Sequence, residues 1–146
     1  MQVENSEDLV LKKIYLTDTN VLCIFPEKGQ RIRMDRLKID YDFDFFTSGP
    51  EETAFEFLIN LNIKCNEEEK PGYFFETGVV GEFLLKNTDT LDDAVQKQYI
   101  LYTALPMMIN SARIYIQQIT SMHAFGPFLL PVMNLTDLLE KMNDSL

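Results

Sequence analysis

Two segments in the first half of the chain alternate between apolar and polar side chains. In "RLKIDYDFDFF" (36–46) and again in "TAFEFLINLNIKC" (53–65), apolar residues recur at every second position. This period is typical of a strand with one buried face. Turn-forming sequences, "TSGPEE" and "NEEEKPG", follow the two segments. The pattern predicts two neighbouring antiparallel strands with one apolar face and one polar face.

Two further segments, before and after this pair, are rich in β-forming residues. Residues 9–25 carry apolar side chains on both faces. This pattern is typical of a strand that is covered on more than one side. Residues 73–85 form a fourth strand, in which Gly78 and Gly81 predict a bulge. Because short turns join these segments, the sequence predicts an antiparallel meander whose solvent face is rich in carboxylates.

The apolar spacing changes to a helical one after these strands. Thr90 and Asp93 resemble a capping signal, and Pro106 predicts a kink and the start of a longer helix over 106–122. A short last helix is expected to begin at Asn134, a favoured N-cap residue that an amphipathic stripe follows.

The predicted fold class is α+β: a four-stranded antiparallel meander sheet, a kinked long helix and a short C-terminal helix. We expect a single domain over residues 1–146, with the polar residues 1–8 mobile. The long helix has a wider apolar surface than one sheet can cover, and self-association would cover the rest. The predicted subunit interface consists of Ile109, Ala112, Ile116 and Ile119.

The segment "HAFGPFLLPVM" (123–133) combines loop-forming and strongly apolar residues. Gly126, Pro127 and Pro131 exclude regular structure, whereas loops normally lie on the surface in water. The segment is therefore either a lid on the protein's own core or a surface that binds another apolar molecule. The residues alone leave both interpretations open.

Charge and cysteine content narrow the range of functions. The formal net charge of −10 argues against partners such as nucleic acid and anionic membranes and suits solubility or a basic partner. Cys23 and Cys65 lie in apolar strands, which predicts buried, reduced thiols in a cytosolic protein. We see no signal-peptide pattern and no apolar run long enough to span a membrane.

No catalytic motif is present in the sequence. His123 is the single histidine, there is no GxSxG elbow, and no Gly-rich phosphate loop is found. The carboxylates alternate on solvent faces, which disfavours an acid/base pair. We therefore expect no enzyme activity, no metal and no cofactor, and a function in binding.

Several strings, taken in order, resemble the SecB family of bacterial export chaperones. "KKIYLTDTNVLCIFPE" is similar to that family's first strand, and "FFETGVVGEF" to its fourth. "INSARIYIQQITSM" resembles its long helix, and "LLPVMNLTDLL" the entry to its last helix. Together they cover the chain from about residue 12 to 142.

The resemblance implies a cytoplasmic, ATP-independent holdase that binds unfolded preproteins or other non-native polypeptides and passes them to the Sec export machinery. It implies a homo-oligomer, a dimer of dimers, and a SecA-type translocase motor that docks on an acidic outer sheet face through Asp18 and Glu76. The implied client-binding groove is formed by Phe125, Phe128, Leu129, Leu130, Leu138, Leu139 and Met142.

Departures from the family leave a divergent SecB-like relative open, and two alternatives remain. The link over 27–34 is short and basic where the family has a longer aromatic link, and Leu22 stands where another acidic residue is usual. The first alternative is a SecB-like chaperone dedicated to an antitoxin of a toxin–antitoxin system. The second is a carrier of small apolar ligands that uses the gap between sheet and helix as a closed pocket.

Overall fold

The computed structural model describes residues 8–33, 37–47, 54–66, 70–131, 136–137, 140–141 and 144. The strands are β1 (Leu9–Ile24), β2 (Ile39–Thr47), β3 (Ala54–Cys65) and β4 (Gly72–Lys86). The helices are α1 (Asp93–Tyr99) and α2 (Leu105–Thr120), joined by a π-helical turn over Ile100–Ala104. No described helix is long and apolar enough to cross a membrane.

The four strands form one antiparallel sheet, as predicted, with the order β1-β4-β3-β2. The meander prediction is correct for β2, β3 and β4 and wrong for β1, which pairs with β4 instead of β2. The connection from β1 to β2 passes over β4 and β3, a distance of three strand spacings or about 14 Å. Residues 25–38 are long enough to span it. The crossover leaves β1 and β2 as the two edges of the sheet.

One face of the sheet, here called the inner face, packs against the helix. The alternation predicted for β2 and β3 is confirmed, since Ile59, Leu61 and Ile63 are 0–1% exposed while the aspartates of β2 face solvent. The central strand β4 is buried on both faces, because Phe74 and Val80 of the other, outer face are also buried. The core therefore lies between the inner face of β3 and β4 and the helix.

Gly78 and Gly81 allow close packing instead of producing the predicted bulge. The register irregularities lie in β1, between Leu11 and Lys13 and between Leu16 and Thr19. A Cβ atom on Gly81 would overlap the Sδ atom of the fully buried Met108. The helix can thus lie close to the sheet only because this position has no side chain.

The helical segments run on as a single helix of 28 residues. The irregularity predicted at Pro106 is a π-helical turn just before it, in which the Leu105 N–H donates to the Ile100 carbonyl. A proline has no N–H to donate, so a π turn beside it accommodates the missing bond. The helix start is capped by Asp92, whose carboxylate accepts from the Val95 N–H at 2.9 Å, rather than by the predicted Thr90.

The predicted subunit interface needs correction. Ile109, Ala112 and Ile116 are 4%, 0% and 3% exposed in the isolated chain, so they pack in its own core and have no surface left for a second copy. Ile119 is half-buried. The helical periodicity correctly indicated burial, but the protein's own sheet is what covers the stripe.

The predicted start of the last helix at Asn134 lies outside the described residues. Those described beyond residue 131 have helical conformation.

Candidate functional site

The loop after α2, residues 121–131, is fixed to the sheet by hydrogen bonds. The buried Thr120 hydroxyl donates to the Ile116 carbonyl at 2.6 Å and accepts from the Phe128 N–H at 2.7 Å. The buried Tyr73 hydroxyl donates to the Gly126 carbonyl and lies 3.3 Å from the Thr120 carbonyl. These bonds satisfy polar groups that water cannot reach, so the loop holds a defined position without regular structure.

The aromatic side chains of the loop pack onto β4. The Phe128 ring lies 5.4 Å from the Phe75 ring and 6.0 Å from the Tyr73 ring. The Phe125 ring lies 5.4 Å from Tyr73 and 5.2 Å from Phe25, which is 65% exposed. An aromatic cluster thus connects the buried core with the surface.

The apolar residues of the loop divide into two sets. Phe128 and Leu130 are 5% and 4% exposed, whereas the intervening Leu129 is 63% exposed. Neighbouring side chains of an extended backbone point to opposite sides, so one side of the loop covers the core and the other faces outward. The loop is therefore both a lid and an exposed apolar surface.

The outward side of the loop borders a cleft of about 290 Å³. Its walls are the loop and the start of β2, and Tyr73 contributes from β4. The lining residues are Leu37, Ile39, Tyr73, Phe125, Pro127, Phe128, Leu129 and Pro131. Apart from the engaged Tyr73 hydroxyl, all of these side chains are apolar. Such a cleft can hold one or two apolar side chains of another molecule by contacts that impose little directional demand.

The structure brings part of the predicted groove together. Phe125, Phe128 and Leu129 line the cleft, while Leu130 is buried in the core and does not line it. Leu130 is thus incorrectly assigned to the binding surface, because it is one residue out of phase with Leu129. The remaining predicted groove residues, Leu138, Leu139 and Met142, lie outside the described residues.

Sequence reasoning missed the opposite wall of the cleft. Leu37 and Ile39 were predicted to lie on the apolar face of a strand, but a local pattern cannot show that their strand is at an edge. The helix α2 contacts β4 and β1, so the inner face of β2 is less covered. Accordingly, Ile39, Tyr41 and Phe43 are only half-buried. This partly open strip continues from the cleft along β2.

A second depression, of about 650 Å³, lies on the outer face of the sheet. The predicted docking residues Asp18 and Glu76 both line it, together with Asp40 and Asp42. The Lys64 Nζ lies 3.3 Å from the Glu76 Oε1, and both side chains are about half-exposed. The two predicted acidic residues therefore lie on one surface. The positive charge of Lys64 offsets part of the negative charge of that surface.

The space between sheet and helix, which a carrier of small ligands would use, is occupied. Met108 is fully buried over Gly81, and Leu105 and Ala112 are also 0% exposed. In the described part of the chain no group of three His, Cys, Asp or Glu residues is arranged to hold a metal ion. Burial raises the pKa of the Cys65 thiol to about 12, so this side chain is a neutral part of the core.

Comparison with known proteins gives a fold and no sequence family. No protein-family model matches the sequence, and no curated protein matches it significantly. Among solved structures, the chain is similar to the Mycobacterium tuberculosis Rv1957 SecB-like chaperone in complex with a ChAD peptide from the Rv1956 HigA1 antitoxin. The TM-score is 0.53 at 15% identity, over 87% of this chain and 91% of that one.

The chain has a SecB-like fold. It is also similar to a protein of unknown function from Streptococcus agalactiae, with a TM-score of 0.56 at 8% identity over 88% of this chain and 100% of the other. At these identities the likeness concerns the backbone arrangement and assigns no role to individual side chains.

Phe128 and Leu129 are expected to differ in their effect on stability. Phe128→Ala removes a ring packed between Tyr73 and Phe75 and should lower the free energy of unfolding by about 3–5 kcal/mol. Leu129→Ala changes an exposed side chain and should alter it by less than about 0.5 kcal/mol. Urea unfolding followed by circular dichroism measures both values. Equal losses would contradict the division of the loop into a buried and an exposed side.

Proposed function

We propose that this protein is an ATP-independent chaperone that binds non-native polypeptide segments in the cleft beside loop 121–131. The observation that carries the proposal is the cleft itself, an apolar opening with the 63% exposed Leu129 at its rim and a hydrogen-bonded loop as one wall. Exposed apolar surface of this kind commonly marks a site for another protein. The function requires no nucleotide and no covalent chemistry.

The physical properties of the cleft suit clients of varied sequence. Phe and Leu side chains make contacts without directional hydrogen bonds, so many apolar residues can occupy the same place. Because Thr120 and Tyr73 already hold the loop in position, little conformational entropy is lost there on binding. A cleft of about 290 Å³ accommodates a side chain or two of an unfolded segment and excludes a folded domain.

For the client we propose an antitoxin segment or a similar short non-native region. The Mycobacterium tuberculosis structure with the same fold contains a peptide from an antitoxin, and this supports a dedicated chaperone more than a general export factor. Cytoplasmic location and homo-oligomerisation are part of the same proposal. A subunit interface on the helix would use its outward side, where Tyr102 and Ile114 are 64% and 45% exposed, instead of the buried stripe.

Delivery of clients to a SecA-type motor is a second proposal, which the outer depression favours. Asp18 and Glu76 share that depression with Asp40 and Asp42, and such a carboxylate surface attracts a basic partner. In this proposal the motor and the client use opposite faces of the sheet, so that both can be bound at once.

Replacing Leu129 by Ser should weaken client binding and leave the fold intact. We expect the dissociation constant for a reduced, unfolded protein to rise about tenfold or more, since burial of one leucine side chain contributes about 1.5–3 kcal/mol. Met122→Ser is the matched control, because Met122 is 92% exposed and does not line the cleft. Fluorescence titration measures both constants. If the two variants bind equally well, the cleft is not the client site.

Reversing Asp18 and Glu76 to Lys should abolish binding of a SecA-type motor while client binding is retained. The contribution of these exposed carboxylates is electrostatic, so the native affinity should also fall as salt increases. Calorimetric titration at two salt concentrations tests this. The control is the double variant Glu27→Lys, Asp89→Lys, which makes the same change in net charge at exposed positions outside the depression. Unchanged affinity of the double variant would assign these carboxylates to solubility.

A further inference from the structure

Two polar groups on the inner side of the structure have no hydrogen-bond partner among the residues that the structure describes. They are the Tyr41 hydroxyl and the Arg113 Nε, both of them buried atoms. Buried donors and acceptors are nearly always paired in native proteins, because an unpaired one loses its hydrogen bonds to water without compensation. Each of these groups therefore has room for a partner that the described residues do not supply.

The two groups lie near each other, in the partly open strip between α2 and β2. Burial raises the pKa of Tyr41 to about 12, and the positive charge of Arg113 opposes this rise because it favours the phenolate. Tyr41 lies on the inner face of β2, two residues from Ile39, which lines the apolar cleft. Two residues along a strand span about 7 Å. A segment that occupies the cleft and continues along β2 would thus reach the half-buried side chains of Tyr41 and Arg113.

The described inner-face residues of β2 and β3 provide no counter-charge for Arg113. The inner-face positions of β2 are Ile39, Tyr41, Phe43 and Phe45, and those described in β3 are Phe57, Ile59, Leu61, Ile63 and Cys65. The carboxylates of both strands, such as Asp40 and Asp42, lie on the outer face. Arg113 forms no ion pair within the described residues. A half-buried guanidinium among apolar side chains would be stabilised by a carboxylate from a ligand.

The link at the same end of the sheet adds positive charge. The Ile32 side chain packs against the start of β4 beside Leu37, within 3.5 Å of where a Cβ on Gly72 would lie, whereas the neighbouring Arg31 and Arg33 are exposed. Leu37 is also a wall of the cleft. In a chain with a net charge of −10, cationic groups beside an apolar cleft favour an acidic ligand.

We infer that the clients of this protein carry a carboxylate next to their apolar anchor residues, and that Arg113 binds this carboxylate with the Tyr41 hydroxyl as a second donor. The inference rests on the proposed function and specifies its client class as apolar segments with an Asp or Glu, or a chain terminus, a few residues from the anchor. Arg113 contributes selectivity in this arrangement, and the cleft contributes the apolar contact.

The test is a double-mutant cycle between the protein and a set of short extended peptides. The peptides share Phe and Leu anchors and carry Glu, Gln or Lys at one position, which is moved along the peptide. We expect the best Glu peptide to bind the native protein about tenfold or more tightly than its Gln counterpart, as a hydrogen bond to a charged group contributes about 1.5–3 kcal/mol. The Lys peptide should bind most weakly.

The protein variants locate the carboxylate. Arg113→Gln should reduce the Glu-to-Gln preference to about one, and Tyr41→Phe should reduce it in part. Gln117→Ala, an exposed position one turn further along the helix, is the matched control and should leave it unchanged. Circular dichroism and the affinity for the Gln peptide verify that each variant is folded.

The outcomes separate the inference from the proposed function. Equal binding of the Glu and Gln peptides by the native protein, or a preference for Lys, would overturn the inference while the apolar cleft remains a client site. Loss of affinity for Glu and Gln peptides alike in Arg113→Gln would also overturn it. Failure of every peptide and of a reduced, unfolded protein to bind the native protein would instead contradict the proposed function.

Discussion

The candidate site depends on one hydrogen-bonded junction, at which helix α2 ends and the following loop is bound to the sheet. The Thr120 hydroxyl joins the last helical turn to the Phe128 N–H, and the Tyr73 hydroxyl joins β4 to the Gly126 carbonyl. The end of α2, the loop that follows it and the distant strand β4 therefore meet at polar groups that satisfy one another in or beside the core. Without this junction, a segment containing Gly126 and Pro127 would have no reason to keep a single conformation.

From this junction the arrangement of the site follows. Because the loop leaves the helix in a fixed direction, Phe128 and Leu130 enter the core and Leu129 remains outside. The outward side then faces the start of β2, which is an edge strand because β1 crosses over to pair with β4. The cleft and the partly open strip along β2 lie on the side that the helix leaves uncovered. So do the Arg113 and Tyr41 atoms, which have no partner in the described part of the chain. A binding surface arises where the protein's own core is incomplete.

The sequence was sufficient for features that depend on local periodicity. Alternation in β2 and β3 gave their inner and outer faces correctly, and the apolar spacing gave the buried stripe of Ile109, Ala112 and Ile116. The sequence was insufficient for features that depend on which other part of the protein covers a given surface. The stripe was assigned to contact with a second subunit, because periodicity along the helix cannot show how closely the sheet approaches it. That close approach depends on Gly81, which lies in strand β4 and leaves room for Met108. Likewise, no local pattern could place β1 beside β4, identify β2 as an edge, or show that Leu37 faces the loop. The family resemblance supplied the loop as a site, and only the structure divided its residues.

The most direct test of the central claim is a methyl NMR titration of the protein with a reduced, unfolded client. The account predicts that signals of Leu37, Ile39 and Leu129, which line the cleft, shift or broaden together as the client binds. Signals of Ile114 and Met122, exposed apolar residues elsewhere on the surface, should remain unchanged. Perturbation of Ile114 and Met122 with no change at Leu37, Ile39 and Leu129, while the client is bound, would contradict the account.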